Sequence, residues 1–226
     1  ITILNNVTLD SVSNDVNKPV IKANNQNYTF DAVLYATGRK ANTANIGLEH
    51  TDIATNERGA IVVNDTCESS VPGVYAVGDV NGGPQFTYIS LDDFRIVFGA
   101  LTGSGHYTLK DRKNIPYTTF LTPPLSRVGL TEEDAINQGY TIKTKEMLVA
   151  TMPRAHVNDY LKGAFKIVVD AENDLILGAT LYSQGAEELI NLIKMAMDNN
   201  IPYTYFKNQI FTHPTMAENL NDLCNF

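Results

Sequence analysis

Near its C-terminal end the chain reads FTHPTMAENL, Phe211 to Leu220, with a histidine before a proline and a glutamate five residues on. Histidine is the side chain whose ordinary titration lies near neutrality, and a carboxylate on one ring nitrogen fixes which nitrogen carries the proton. His213 and Glu218 are therefore a candidate proton-transfer pair. A plainer reading competes with it. Pro214 disfavours helix at His213, and Thr215 followed by Glu218 has the spacing of a capping box at a helix start. On that reading the glutamate serves backbone N–H groups and the histidine is a loop residue. The stretch alone leaves both open.

A second candidate is GVYAVGDV, Gly73 to Val80. An acid at the carboxyl end of a buried parallel strand is where open α/β sheets bind ligands. Asp79 can accept hydrogen bonds from a ribose or ribityl hydroxyl, and Gly78 lets a ligand approach the backbone. The competing reading is a strand-ending turn. GSGHYT imitates a dinucleotide loop through Gly103 and Gly105, but Thr108 stands where a third glycine is needed and a helix precedes it, so it is rejected. Cys67 and Cys224 belong to no C-x-x-C or zinc pattern, and no metal site is expected. Both read as free thiols in a reducing cytoplasm. Arg39, Arg127 and Arg154 could meet phosphate or substrate, though solvated arginines are the default.

The elements that must position these residues fall into two kinds. Residues 1–36 read as β, with KANNQN as a hairpin turn and NYTFDAVLYATG ending in a nearly continuous apolar strand closed by Gly38. AIVVND and GVYAVGDV read as further strands. A helix is expected from about Ser90 to Leu101, with Leu91, Phe94, Val97 and Phe98 at helical spacing. TGSGHYTLKDRKN reads as a linker, with a domain boundary near residue 112. Beyond it, TEEDAINQG is a short helix with Thr131 as N-cap and Gly139 as terminator. YTIKTKEMLVA is a strand, and GAFKIVVDAENDLILGATLYS is two strands around an acidic turn. AEELINLIKMAMDNN is an amphipathic helix with Leu189, Ile193, Ala196 and Met197 on one stripe. A last helix follows Pro214. An antiparallel sheet with helices on one side is the expected α+β layer.

A formal charge of −8 excludes the basic stripe of a nucleic-acid binder. No apolar run reaches the length of a membrane span, and no basic and apolar leader opens the chain. The opening residue is Ile1, in strand-like sequence, so a piece of a longer protein is expected.

VLYATGRKANT, GVYAVGDVNGGPQFTYISLDDFRIV, TPPLSRVGLTEEDA and FTHPTMAENL occur in this order. Together they resemble the C-terminal half of the pyridine nucleotide-disulfide oxidoreductases, the flavoprotein disulfide reductases. The wording GGPQFTYISLDDFRIV and MPRAHV is similar to the branch known for reactive-chlorine resistance and hypothiocyanous acid reduction. The resemblance implies an α/β fragment followed by an α+β dimerisation domain. Residues 1–38 would be the end of the NAD(P)H-binding domain, with Gly38 at the crossing. Residues 39–112 would belong to the FAD-binding domain and 113–226 to the dimerisation domain. It implies that Asp79 binds the flavin ribityl chain beside Gly78, that Phe86 and Thr87 lie near the isoalloxazine ring, and that His213 and Glu218 form a dyad donated to the partner subunit of a homodimer.

The implied cofactors are FAD and NAD(P)H, expected in the full-length protein and absent from this chain alone. The implied substrate is a small oxidised thiol-type or hypohalous-type molecule. The family's redox C-x-x-x-x-C and both dinucleotide fingerprints are missing, and in relatives these lie upstream. Mercuric reductases carry adjacent cysteines near their C-terminus; NDLCNF has one, which argues against mercury. A non-enzymatic dimerisation module is the main alternative. A flavin reductase using oxygen, coenzyme A disulfide or a metal ion is another.

Overall fold

The computed structural model describes residues 1–15 and 18–226, so Val16 and Asn17, inside the segment read as β, lie outside the described residues. Two compact units form, Ile1–Asn42 and Thr43–Phe226. In the first, β1 (Leu9–Asp15), β2 (Lys18–Ala23) and β3 (Gln26–Thr29) make an antiparallel meander. Asn24 and Asn25 turn the β2–β3 hairpin at φ 49° and 63°, with Ala23 paired to Gln26. Two successive positive-φ residues give the hairpin turn whose twist suits the flanking strands, and asparagine tolerates them.

The apolar strand expected through DAVLYATG does not form among the described residues, and Leu34 is 89% exposed. AIVVND and GVYAVGDV likewise reduce to single bridges, Thr55 with Ile61 and Glu68 with Tyr75. The physical reason is common to all three. An apolar run is held as a strand only when neighbours take its N–H and C=O groups, and no described ladder flanks these segments.

Helix α1 spans Thr87–Thr102, starting three residues before the expected Ser90. The apolar residues at helical spacing are not the ones it buries. Ile89, Asp93, Ile96 and Gly99 are buried, whereas Leu91, Phe94 and Phe98 are exposed.

The remainder holds the expected elements and adds two strands and two short helices that the sequence reading did not name. Strands β4 (Tyr117–Thr119), β5 (Leu125–Gly129), β6 (Ile142–Leu148), β7 (Ala164–Asp170) and β8 (Ile176–Tyr182) form one antiparallel sheet, order β4-β5-β8-β7-β6. Short helices α2 (Glu132–Asn137) and α3 (Pro153–Val157) lie in its connections. Helix α4 (Ala186–Asp198) packs on β5 and β8, and α5 (Tyr203–Asn208) on α6 (Leu220–Leu223). The hydrophobic core runs from Val128 to Cys224: Phe165, Ile167 and Val169 of β7 meet Leu189, Ile190 and Ile193 of α4 and Leu220 and Leu223 of α6. No described helix is long and apolar enough to cross a membrane.

Candidate functional site

His213 and Glu218 come together. Nδ1 of His213 lies 2.9 Å from Oε2 of Glu218. The histidine side chain is 71% exposed and the glutamate 16%, so the carboxylate is sheltered and the ring is presented outward. The sequence builds this locally. The His213–Pro214 peptide is cis. Thr215 Oγ1 donates to the Thr212 carbonyl at 2.7 Å and accepts from the Glu218 N–H at 3.2 Å. Half of the capping box is therefore present, and the glutamate carboxylate is turned to the histidine. A 3-10 turn, Ala217–Asn219, leads into α6.

Side chains that the sequence reading passed over fix this segment. Asn219, 2% exposed, donates to the carbonyls of Thr215 and Met216 at 3.2 and 3.1 Å. Asn221 donates across to the Phe206 and Gln209 carbonyls, at 2.5 and 3.0 Å. Lys145 of β6 donates to the carbonyls of Asp222 and Asn225 at 2.7 and 2.6 Å, closing the end of α6. Asn219 and Asn221 stand among other polar residues of MAENLNDLCNF and Lys145 in a distant strand, so nothing in the sequence set them apart.

Gly78, Asp79, Phe86 and Thr87 gather at a second place. Gly78–Asn81 is a 3-10 turn, not the end of a strand, and Thr87 opens α1. Gly78 has φ +73°, a left-handed conformation that favours glycine, and a Cβ there would press on the Ser90 side chain. Asp79 is exposed beside it. Phe86 stacks on Tyr117 with ring centroids 5.7 Å apart. Phe86 and Thr87, with Arg112, Tyr117, Asn191 and Lys194, line a cavity of about 770 Å3. No side chain caps the N-terminus of α1. An uncapped first turn directs N–H groups outward and favours an electron-rich acceptor there.

Gly38 belongs to the Ile1–Asn42 unit, at φ +100°, a conformation natural only to glycine. The described residues contain no group of three or more His, Cys, Asp or Glu able to hold a metal ion. Cys67 and Cys224 are buried free thiols. Arg112, from the segment read as a linker, reaches this cluster. It donates through Nε to Asp92 at 2.8 Å and through Nη2 to buried Asp93.

Fold and site together define a class. The pattern "Pyridine nucleotide-disulphide oxidoreductase, dimerisation domain" matches residues 115–224, and "Pyridine nucleotide-disulphide oxidoreductase" matches residues 1–93. The chain belongs to the pyridine nucleotide-disulfide oxidoreductase family. It is 45% identical over 223 residues to the "Probable pyridine nucleotide-disulfide oxidoreductase RclA" of Escherichia coli K12, covering 99% of this chain and 51% of that protein. It is 34% identical over 202 residues to a mercuric reductase of Staphylococcus aureus, covering 88% of this chain and 37% of that one. The solved structure of the "HOCl-induced flavoprotein disulfide reductase RclA" from E. coli superimposes with a TM-score of 0.89 at 45% identity, over 96% of this chain and 50% of that chain. The chain thus spans about half the length of the E. coli relative.

Proposed function

We propose that this chain forms the C-terminal half of an FAD- and NAD(P)H-dependent disulfide-type reductase, supplying part of the flavin site, a homodimer interface and an acid–base pair. The observation that carries the reading is the 2.9 Å contact between His213 Nδ1 and Glu218 Oε2. In the tautomer with its proton on Nδ1, the ring donates to the carboxylate, and Nε2 is left to take and return a proton. Reduction of a disulfide-type bond releases a thiolate. An imidazolium held by Glu218 protonates it, and the neutral ring takes the proton back when the next thiol is deprotonated. The exposed ring suits a role on a substrate bound by another surface, which in a homodimer is the partner subunit. Dividing the chain near residue 112, with the dimer interface in the part beyond it, follows from the same reading.

The residues of the second cluster fit a flavin nucleotide. Asp79, exposed beside Gly78, carries a carboxylate able to accept from sugar-chain hydroxyls, and α1 opens without a side-chain cap. Hydride transfer from the nicotinamide is chemistry that the cofactors supply. This chain's part is to hold Asp79 and Thr87 in place and to manage the proton at His213. The HOCl-induced E. coli relative supports a small oxidised thiol-type or hypohalous-type substrate, and the two buried free thiols support a reducing, cytoplasmic setting.

The test is His213→Gln in a protein of the relatives' full length carrying this sequence, with the two half-reactions followed by stopped flow. Reduction by NAD(P)H is expected to be unchanged. Reoxidation by the disulfide-type substrate is expected to slow by about 10²–10⁴-fold. An unchanged oxidative half-reaction defeats the proposal.

A further inference from the structure

Asp93 is fully buried, at 0% exposure, on the second turn of α1. Three donors surround its carboxylate. Oδ2 accepts from the Gly78 N–H at 2.7 Å and from Asn81 Nδ2 at 2.9 Å, and Oδ1 accepts from Nη2 of Arg112. Gly78 and Asn81 are the first and last residues of the 3-10 turn that contains Asp79. One carboxylate therefore ties both ends of that turn to α1. Through Arg112 it also joins them to the segment that leads into β4. Arg112 is 10% exposed and pairs with Asp92 as well, so the buried negative charge of Asp93 is matched on the spot.

We infer that Asp93 is a positioning residue that fixes the Gly78–Asn81 turn in the arrangement from which Asp79 binds the flavin sugar chain; this rests on the flavin-site reading above. The chemistry requires a carboxylate. All three neighbours donate, and a carboxylate is acceptor-only, whereas an asparagine amide would set two N–H groups against donors. A buried charge whose partner is removed is left uncompensated, so Arg112 and Asp93 stand or fall together. The spacing of Ile89, Asp93 and Ile96 puts the acid on the buried face of α1.

The test uses Asp93→Asn and Asn81→Ala, the second removing one donor while leaving the ion pair. In this chain, hydrogen exchange at the Gly78 amide is read by mass spectrometry or NMR. In the full-length protein, the FAD dissociation constant is read by flavin fluorescence beside the melting temperature. Ile193→Val, a core change remote from the turn, is the control for lost stability alone. Asp93→Asn is expected to speed Gly78 exchange and weaken FAD binding by ~10- to 100-fold, the worth of one or two charged hydrogen bonds. Asn81→Ala is expected to act in the same direction and less, with Ile193→Val leaving FAD affinity unchanged. Unaltered Gly78 exchange in both turn variants overturns the inference. So does faster exchange with unaltered FAD affinity. Failure of the unsubstituted full-length protein to bind FAD overturns the flavin-site reading instead, and the role of Asp93 falls with it.

Discussion

Residues 43–112 and residues 113–226 are built on different physics. The later region closes a five-stranded sheet under α4 and α6, and all of the main hydrophobic core lies within it, from Val128 to Cys224. The earlier region has single bridges in place of ladders, a turn pinned by a buried carboxylate, and a helix whose Leu91, Phe94, Phe98 and Leu101 face outward. One region is held by apolar burial, the other by polar ties. In the first kind of structure the core residues find their partners within the region itself. In the second, the apolar surface points where no described residue packs, and directional bonds fix the shape.

The largest expected effect tests that contrast directly. Phe165 is fully buried in β7, and Phe94 on α1 is 53% exposed. Phe165→Ala should lower the unfolding free energy of this chain by about 3–5 kcal/mol, the cost of deleting a core ring and leaving its cavity. Phe94→Ala should change it by no more than ~0.5 kcal/mol, as for an exposed site. Urea titration of the two variants checks both. In the full-length protein the gap should narrow if α1 is covered there. An equal cost in this chain breaks the comparison.

A smaller effect appears in the titration of the two thiols. Burial pushes Cys224 up to about 12, opposed by Lys145. Burial also pushes Cys67 up to about 11, but there the charge of Asp93 adds to it and Arg112 opposes it. In the unfolded chain both ionise near the ordinary value of 9.0. Each raised pKa therefore contributes stability that is intact below pH 9.0 and is lost as pH rises toward about 11 for Cys67 and about 12 for Cys224. Replacing either cysteine by alanine should flatten the alkaline fall in stability by roughly 1.4 kcal/mol per pH unit inside its window. Asp93→Asn should lower the Cys67 pKa and leave that of Cys224 where it is. Urea midpoints across the alkaline range, beside a spectroscopic titration of the thiols, measure both.

The same contrast explains what could be read from sequence. The Asn24–Asn25 turn, the Thr131 cap with Gly139 behind it, the acidic β7–β8 turn and the α4 stripe were all legible. Each is decided by neighbours within a few residues or by one amphipathic face packing on the sheet. The strand expected in GVYAVGDV and the outward direction of Leu91, Phe94 and Phe98 were not. Both depend on what lies alongside, which an apolar run does not specify. Asp93 was overlooked because an acid at helical spacing with Ile89 and Ile96 looks like a break in the pattern; its meaning comes from Gly78, Asn81 and Arg112, distant in sequence. At the C-terminal site the residue types and spacing allowed two roles for Glu218. In the structure its N–H donates to Thr215 Oγ1 and its carboxylate meets His213.

That division yields the smallest expected effect. At Thr131 the capping box is complete: its Oγ1 accepts from the Asp134 N–H at 3.0 Å, and the Asp134 carboxylate takes the Thr131 N–H and hydroxyl at 3.2 and 2.6 Å. At Thr215 only the first of these bonds exists, because Glu218 is turned toward the histidine. Thr131→Ala should cost about 0.5–2 kcal/mol, the usual loss of an N-cap, and leave both half-reactions alone. Thr215→Ala should cost less than Thr131→Ala but slow reoxidation, since it also releases the Thr212 carbonyl next to His213. Glu218→Gln keeps the Thr215 bond to its backbone N–H. It should therefore slow reoxidation, by less than His213→Gln, with little change in melting, because in the proposed pair the glutamate orients the ring and the histidine carries the proton. Melting curves beside stopped-flow traces separate the cases. If Glu218→Gln instead lowers stability as Thr131→Ala does and leaves reoxidation untouched, the glutamate is a cap, and the C-terminal pair has no part in the chemistry.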